Sequence, residues 1–173
     1  MAKKNLEKFV SALQFILVAT LILRLFFAYE WLNAGIGKIQ SIMTDSSQYF
    51  AVMKNVISTT WTEGAKPNPF PFMVSFLKDV VAPNIEFFIT LVAIGEFFVG
   101  LSYLFGFLVR PAAIFGMIMN LTYFLASGHT SPSTAGINII MFGGQLFFLL
   151  VSAGRAYGLD ALLHKKFPKL NLF

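Results

Sequence analysis

The longest uninterrupted apolar stretch of the chain is residues 9–35, which contain no proline and no glycine before the last position. As a helix, this stretch can cross a hydrocarbon core of about 30 Å, which takes roughly 20 residues. Three more apolar stretches with helical spacing follow, at about 84–108, 112–127 and 137–153. The pattern therefore predicts an all-α integral membrane protein, a four-transmembrane-helix bundle that forms a single domain over 1–173.

The segment between the first two predicted spans, residues 36–82, is an outer loop with helical spacing in two places. Apolar side chains recur every three or four positions within 49–57 and again within 73–81, with a proline-rich turn between them. Spacing of this kind is typical of short amphipathic helices. The sequence leaves open whether the two helices lie in the membrane interface or only cover the bundle.

Composition also favours a membrane protein. The hydrophobic fraction is 57% and the charged fraction 12%, against about 45–50% and about 25% in soluble domains. The net charge of +5 comes from cations spread along the chain, so it does not indicate a nucleic-acid partner. The lack of cysteine excludes disulfides, thiolate nucleophiles, Cys-ligated clusters and c-type haem attachment. The two histidines fall on opposite sides of the predicted membrane, so no metal site is expected.

The distribution of cations predicts the orientation. Eight Lys and Arg residues lie in the termini and the second connection: Lys3, Lys4, Lys8, Arg110, Arg155, Lys165, Lys166 and Lys169. Four lie in the long outer loop: Lys38, Lys54, Lys66 and Lys78. Because cytoplasmic segments carry the excess of Lys and Arg, we expect a multi-pass protein of the cell membrane with both termini in the cytoplasm.

Two charges deep inside the predicted spans, Arg24 and Glu96, need partners. Arg24 and Glu96 each lie about 12 residues from the inner end of their predicted helix, which is roughly 18 Å up. Sequence-adjacent helices run antiparallel, so we predict a midplane Arg24–Glu96 ion pair, with Asn120 or Gln145 completing the network. The pair either takes part in function or only specifies helix packing, and the spacing does not choose between these.

A second polar cluster is predicted near the outer surface. Lys38 and His129, with the hydroxyls of Ser131 and Ser133, could bind an anion. A carboxylate such as Glu30, together with a histidine, could instead handle the protons of a quinone that enters from the lipid. The alternative is structural, with an interfacial Lys38–Glu86 pair and His129 as an ordinary loop residue.

Two blocks of sequence resemble the DoxX/DoxD family. LRLFFAYEWLNAGIGK (23–38) is similar to the family's opening signature, in which an arginine of the first helix precedes a G-x-x-K exit, here Gly35 and Lys38. GEFFVGLSYLFGFLVRPAA (95–113) is similar to its second block. GHTSPSTAGIN (128–138) and AGRAYGLD (153–160) are most similar to the DoxD branch. The resemblance therefore covers all four predicted helices.

The resemblance implies a small four-helix membrane protein. DoxD proteins are similar to the membrane subunit of a thiosulfate:quinone oxidoreductase, which acts with a second subunit, DoxA, to couple thiosulfate oxidation to quinone reduction. The resemblance also implies that the chain could bind quinone as a cofactor and that no cofactor is covalently bound. We therefore expect contacts with membrane lipid, a second subunit or redox partner protein, and no nucleic acid. Whether the chain forms a homo-oligomer is left open by the sequence.

Three interpretations of function remain. The chain is a membrane subunit of a sulfur-compound:quinone oxidoreductase, or a non-catalytic anchor and assembly subunit for redox partners, or a small transporter, which requires an oligomer. Whether the chain is itself an enzyme is left open by the sequence. The catalytic candidates are Glu30 and Glu96. The candidates for substrate binding are Arg24, Lys38, His129, Ser131 and Ser133.

Overall fold

The computed structural model describes residues 2–170 and residue 172, and for residues 2–4 and 6 it describes only the backbone. The described residues are 86% helical and include no strand. Four segments among them are long and apolar enough to cross a membrane: Glu7–Thr59, Pro71–Phe105, Val109–Thr130 and Pro132–Val151. The prediction of an all-α fold with four helices able to span a membrane is therefore confirmed.

The described part of the chain has six α-helices, joined in places by tighter or wider helical turns. They are α1 Ala2–Thr59, α2 Pro71–Ser75, α3 Ile85–Phe105, α4 Val109–Ser127, α5 Pro132–Val151 and α6 Leu159–Lys166. A π-helical turn, Phe76–Val81, and a 3-10 turn, Ala82–Asn84, connect α2 to α3. Two more 3-10 turns, Gly128–Thr130 and Ala153–Arg155, follow α4 and α5.

The first helix does not end near residue 35 as predicted. It continues to Thr59, with a kink at Asp45, whose backbone is non-helical (φ −153°, ψ 90°). Oδ1 of Asp45 accepts hydrogen bonds from the backbone N–H of Gln48 at 3.0 Å and from the hydroxyl of Ser47 at 2.9 Å. Asp45 thus caps a new helical arm at the kink, because these groups would otherwise lack acceptors. The predicted loop 36–82 is mostly helical.

The two amphipathic helices predicted in that loop are present and pack against each other. Ile57 from the second arm of α1 shares a buried cluster with Met73, Leu77 and Val81, and Ala126 of α4 joins it. Nδ2 of Asn68 lies within hydrogen-bonding distance of the backbone carbonyls of Trp61, Leu125 and Ala126. Together these contacts form a layer that covers one end of the bundle, here called the apical end.

Close packing of α1 on α3 sets the register of the two helices. A Cβ atom added to Gly35 would lie 2.6 Å from the backbone N of Phe97, and one added to Gly100 would lie 2.8 Å from the backbone N of Leu32. Such distances leave no room for a side chain, so the helices approach through their glycines. Residue 35 therefore lies opposite 97, and residue 32 opposite 100.

The basal end of the bundle, residues 105–110 and 152–160, is closed by tight turns. Gly106 ends α3 in the left-handed conformation (φ 62°), which glycine adopts without strain. A Cβ at this position would also lie 2.6 Å from Nη1 of Arg24. Leu108 then adopts φ 52°, and Asp160 accepts hydrogen bonds from the backbone N–H groups of Leu108 (2.7 Å) and Val109 (3.0 Å). Asp160 thus caps α4.

The N-terminal arm of α1, residues 7–19, extends beyond the basal end. Every residue of this arm is exposed except Leu17, which is half-buried. Its apolar side chains include Phe9 (67% exposed) and Phe15 (75% exposed). From Arg24, which contacts the basal end, to residue 7 the helix rises about 25 Å. The part of α1 that packs in the bundle therefore starts well after the first apolar residue.

Candidate functional site

Glu96, near the middle of α3, is the centre of a buried polar cluster. Its Oε2 atom accepts a hydrogen bond from Nζ of Lys38 at 2.6 Å, and its Oε1 atom accepts one from the hydroxyl of Tyr123 at 2.8 Å. Glu96 is only 2% exposed. A carboxylate so far from water is costly unless it is paired, and here α1 supplies the cation and α4 the hydroxyl.

A cavity of about 130 Å³ opens beside this cluster. It is lined by residues of α1, α3, α4 and α5: Glu30, Trp31, Ala34, Glu96, Asn120, Tyr123, Ile137 and Met141. Glu30 is exposed, whereas Trp31, Glu96 and Asn120 are buried, so Glu30 marks the side on which the cavity meets its surroundings. The indole Nε1 of Trp31 is buried and has no hydrogen-bond partner among the described residues. The cavity thus combines apolar walls with several convergent polar groups, as small-molecule sites do.

A larger groove, with a volume of about 430 Å³, lies between α3 and α4 and is almost entirely apolar. Gly95 and Met119 belong to its wall. The next residue along each helix, Glu96 and Asn120, lines the smaller cavity. The groove and the cavity therefore lie at the same height on α3 and α4 but on different faces of these helices, since consecutive helical residues point about 100° apart. An apolar groove on a membrane-facing side suits a hydrocarbon chain.

A polar groove of about 400 Å³ follows the kink of α1. Its lining is mainly polar: Gly37, Gln40, Ser41, Thr44, Asp45, Gln48, Tyr49 and Val52. Tyr49 also packs against the buried apical cluster that contains Ile57. Its side chain thus lies between the polar groove and the apical layer.

The predicted Arg24–Glu96 pair is wrong. Glu96 pairs with Lys38, fourteen positions further along α1. The prediction assumes that α1 starts at the membrane surface at which the antiparallel α3 ends. Because the N-terminal arm extends past the basal end, Arg24 lies opposite the end of α3 rather than its middle. The alternative pairing of Lys38 with Glu86 is also wrong, because Lys38 pairs with Glu96 and Glu86 is exposed.

Arg24 is part of a separate network at the basal end. Its Nη1 atom donates hydrogen bonds to the carbonyl oxygens of Ala153 at 2.8 Å and Ala156 at 3.0 Å. Asp160 is the carboxylate that interacts with it electrostatically. Burial raises the pKa of Asp160, and this effect is opposed by the N–H groups of Val109 and Leu108 and by Arg24 and Arg155. This network joins four segments of the chain, so its geometry indicates a structural role.

The predicted anion-binding residues do not form one cluster. Lys38 is already paired with Glu96. Ser131 accepts a hydrogen bond from the backbone N–H of Thr134 and so caps α5 at the apical end. Ser133 is exposed on the first turn of α5. His129 lies in the preceding 3-10 turn, and both of its ring nitrogens are buried without a partner among the described residues. The oxyanion role of these four residues stays a prediction.

Two residues of the cavity, Tyr123 and Trp31, were not among the predicted site residues. Tyr123 lies three positions after Asn120, so both fall on one face of α4. That spacing is a usable signal, because the sequence predicts Asn120 as a possible member of a buried network. The signal for Trp31 was ambiguous, since a tryptophan near a helix end is as typical of a membrane interface as of a site.

Comparison with known proteins gives the family. Residues 19–173 match the family described as "TQO small subunit DoxD". No curated protein and no solved structure gives a significant match. The match covers all of the bundle and both polar networks, and it confirms the resemblance seen in the sequence. Membership implies a membrane subunit of thiosulfate:quinone oxidoreductase (TQO) and a partner subunit. The chain is a multi-pass membrane protein that belongs to the DoxD family.

Proposed function

We propose that this chain is the quinone-binding membrane subunit of a thiosulfate:quinone oxidoreductase. In this proposal the cavity beside Glu96 holds the quinone ring, and the polar cluster delivers protons to it. The observation that carries the proposal is a desolvated carboxylate, hydrogen-bonded to Lys38 and Tyr123, in the wall of a cavity of about 130 Å³. An engineered protein cavity of roughly 150 Å³ binds benzene, so this volume suits one six-membered ring.

The reaction requires two electrons and two protons for each quinone. The electrons come from thiosulfate oxidation through the partner subunit, and each ring oxygen gains one proton to give the quinol. Tyr123 can donate its hydroxyl proton to one ring oxygen and be reprotonated through Glu96, whose carboxylate first takes a proton from the ammonium group of Lys38. Glu30, the exposed carboxyl group of the cavity lining, can protonate the other ring oxygen. These roles keep Glu30 and Glu96 as the proposed catalytic residues and add Tyr123.

The apolar groove between α3 and α4 supports the same proposal. Natural quinones carry an isoprenoid tail, which needs a continuous apolar surface outside the ring site. The groove supplies such a surface at the height of the cavity, through the consecutive residues Gly95–Glu96 and Met119–Asn120.

The other proposals have less support. An oxyanion site at Lys38 has less support because Glu96 already neutralises that cation. A non-catalytic anchoring subunit would need neither the buried cluster nor the cavity.

We also propose an orientation for the protein. The basal end faces the cytoplasm, because the termini and the second connection contain the excess of cations.

The test is thiosulfate-dependent quinone reduction in membranes that contain this protein and its native partners. Tyr123→Phe and Glu30→Gln should each lower turnover by about tenfold or more, because each removes a proton-carrying group. The matched control is Tyr29→Phe, since Tyr29 is 64% exposed on the same stretch of α1 as Glu30. Wild-type membranes without any such activity would favour the anchoring role. Activity that is equal in all four proteins would place the site elsewhere.

A further inference from the structure

One face of α1 points away from the bundle and has a seven-residue repeat of exposed side chains. The members of this row are Ala12, Ala19, Phe26, Asn33 and Gln40. Together with the neighbouring exposed residues Glu30, Gly37 and Thr44, the row is here called the open face of α1. Buried residues of the same helix, such as Trp31 and Gly35, point to the opposite side.

The open face is polar where the neighbouring helix is apolar. The glycine contacts between α1 and α3 place Asn33 at about the height of Phe98, which is 58% exposed. They place Gln40 at about the height of Leu91, which is 53% exposed. Neither side-chain amide of α1 forms a hydrogen bond with another described residue. Since unpaired amides are costly in hydrocarbon, this face needs a polar partner that the single chain does not supply.

The open face is complementary to itself. The side-chain amide of Asn or Gln contains both donors and acceptors, so two copies of the same residue can bond to each other. A two-fold axis parallel to α1 brings the two copies of Asn33 together and likewise the two copies of Gln40. Gly37 lies between these positions, and nothing lies within 4 Å of a Cβ built there, so a second helix can approach closely. A seven-residue repeat is typical of two helices that cross with a left-handed twist.

The N-terminal arm favours a second copy over a different helix. The arm extends about 25 Å past the basal end, and its apolar side chains are exposed on all sides. A helix that is apolar all round is normally buried. The seven-residue row continues into the arm through Ala12 and Ala19. A symmetric second copy has an arm of the same length on the same side, so the two arms can pack along this row.

We infer that the protein forms a parallel homodimer in the membrane, in which the open faces of two α1 helices contact each other. This inference does not depend on the proposed function. Glu30 lies at the edge of the open face that borders the cavity, because Ala34 and Trp31 of the cavity lining lie on that side of α1. The second copy of α1 therefore lies beside the opening of the cavity.

Disulfide cross-linking tests the contact directly, because the chain has no cysteine of its own. In native membranes oxidised with copper phenanthroline, Asn33→Cys and Gln40→Cys should each shift most of the protein to twice its mass. Helices in contact bring the two Cα atoms within the roughly 4.4–6.8 Å that a disulfide requires. The matched controls are Phe98→Cys and Leu91→Cys, at the same heights on the exposed surface of α3, and they should stay at the mass of the single chain.

Energy transfer in liposomes, between copies labelled at Lys66→Cys with a donor or an acceptor dye, measures the dimer without cross-linking. Asn33→Val and Gln40→Leu should each raise the dimer dissociation constant about threefold, as expected for one hydrogen-bonded pair between membrane helices. Phe98→Leu should leave it unchanged.

Three results would overturn the inference. Cross-linking that is equal at positions 33, 40, 91 and 98 would indicate random collisions. Cross-linking of Asn33→Cys and Gln40→Cys to a different protein, without a covalent dimer, would assign the open face to a partner subunit. A lack of energy transfer between copies of the wild-type sequence labelled in this way would show that the chain is a monomer. Thiosulfate-dependent quinone reduction does not decide between these results, so the proposed function is tested separately.

Discussion

Lys38 and Glu96 form an ion pair in which one partner reaches solvent and the other does not. The side chain of Lys38 is 26% exposed, whereas that of Glu96 is 3% exposed. The Glu96 carboxylate therefore loses more of its hydration than Lys38 does, and the ammonium group of Lys38 compensates its charge. Removing either partner should have a different effect from removing both.

We expect Lys38→Met to destabilise the protein by about 2 kcal/mol, because it leaves the Glu96 carboxylate buried without a cation. The loss is lower than the roughly 3–5 kcal/mol of fully buried pairs, since Lys38 is partly exposed. Glu96→Gln should cost less, and the double variant should be more stable than Lys38→Met alone. A double-mutant cycle on unfolding free energies in mild detergent measures the coupling. Strictly additive losses would show that the two side chains do not interact.

The contact of α1 with α3 predicts opposite outcomes at two neighbouring glycines. Gly35→Ala should destabilise the protein by roughly 1–3 kcal/mol, since the new Cβ would meet the backbone of Phe97. Gly37→Ala should be neutral or should stabilise it by about 0.5–1 kcal/mol, because nothing lies within 4 Å of a Cβ there.

The same unfolding measurement applies to both glycine variants. Gly35→Ala should also lower the rate of quinone reduction, because the new side chain moves Lys38 away from Glu96. Gly37→Ala should leave this rate unchanged. Equal stability of the two variants would contradict the register described here.

The raised pKa of Asp160 predicts a dependence of stability on pH. In the folded protein this carboxyl holds its proton more tightly than in the unfolded chain, whose pKa is about 3.8. The contribution of Asp160 to the free energy of unfolding is therefore complete below pH 3.8. It is lost as pH rises through the folded-state pKa, by at most about 1.4 kcal/mol per pH unit.

Asp160→Asn removes this titration, so the difference in unfolding free energy between the wild-type protein and this variant should change with pH only in that window. Asp79→Asn, at an exposed apical position, is the control. A difference that stays constant from pH 3 to pH 8 would contradict the prediction.

The proposed orientation predicts which residues an impermeant reagent reaches. Since the chain lacks cysteine, single-cysteine variants give unambiguous labelling. In intact cells, or in spheroplasts if an outer membrane is present, a membrane-impermeant maleimide should label Lys66→Cys at the apical end. It should label Lys169→Cys only after the membrane is opened. Labelling of the latter alone in intact cells would reverse the orientation.

The sequence predicted the helices better than their ends. The apolar runs located all four spans, but α5 starts at Pro132, five residues before the predicted start. Ser131 and Pro132 are typical of a cap and a first helical residue, which is a local signal that the apolar periodicity of the span does not contain. At Asp45 one side chain lets the helix bend and continue, which periodicity alone does not reveal.

The candidate site could be predicted only in part, because its geometry depends on register. Glu96, Lys38 and Glu30 were identified from their charge, yet Glu96 was paired with Arg24. Which residue of α1 lies opposite Glu96 depends on the glycine contacts at positions 35 and 100. Those contacts are set by packing, and hydropathy along the chain carries no information about them.

The basal network also has a consequence for biosynthesis. The two carbonyl acceptors of Arg24 lie 129 and 132 residues further along the chain. At about 5–20 residues per second, a ribosome needs roughly 6–26 seconds to travel from Arg24 to Ala153. During that interval α1 can insert, but the guanidinium has neither these acceptors nor Asp160. Nascent chains released before that point would carry an arginine without these partners.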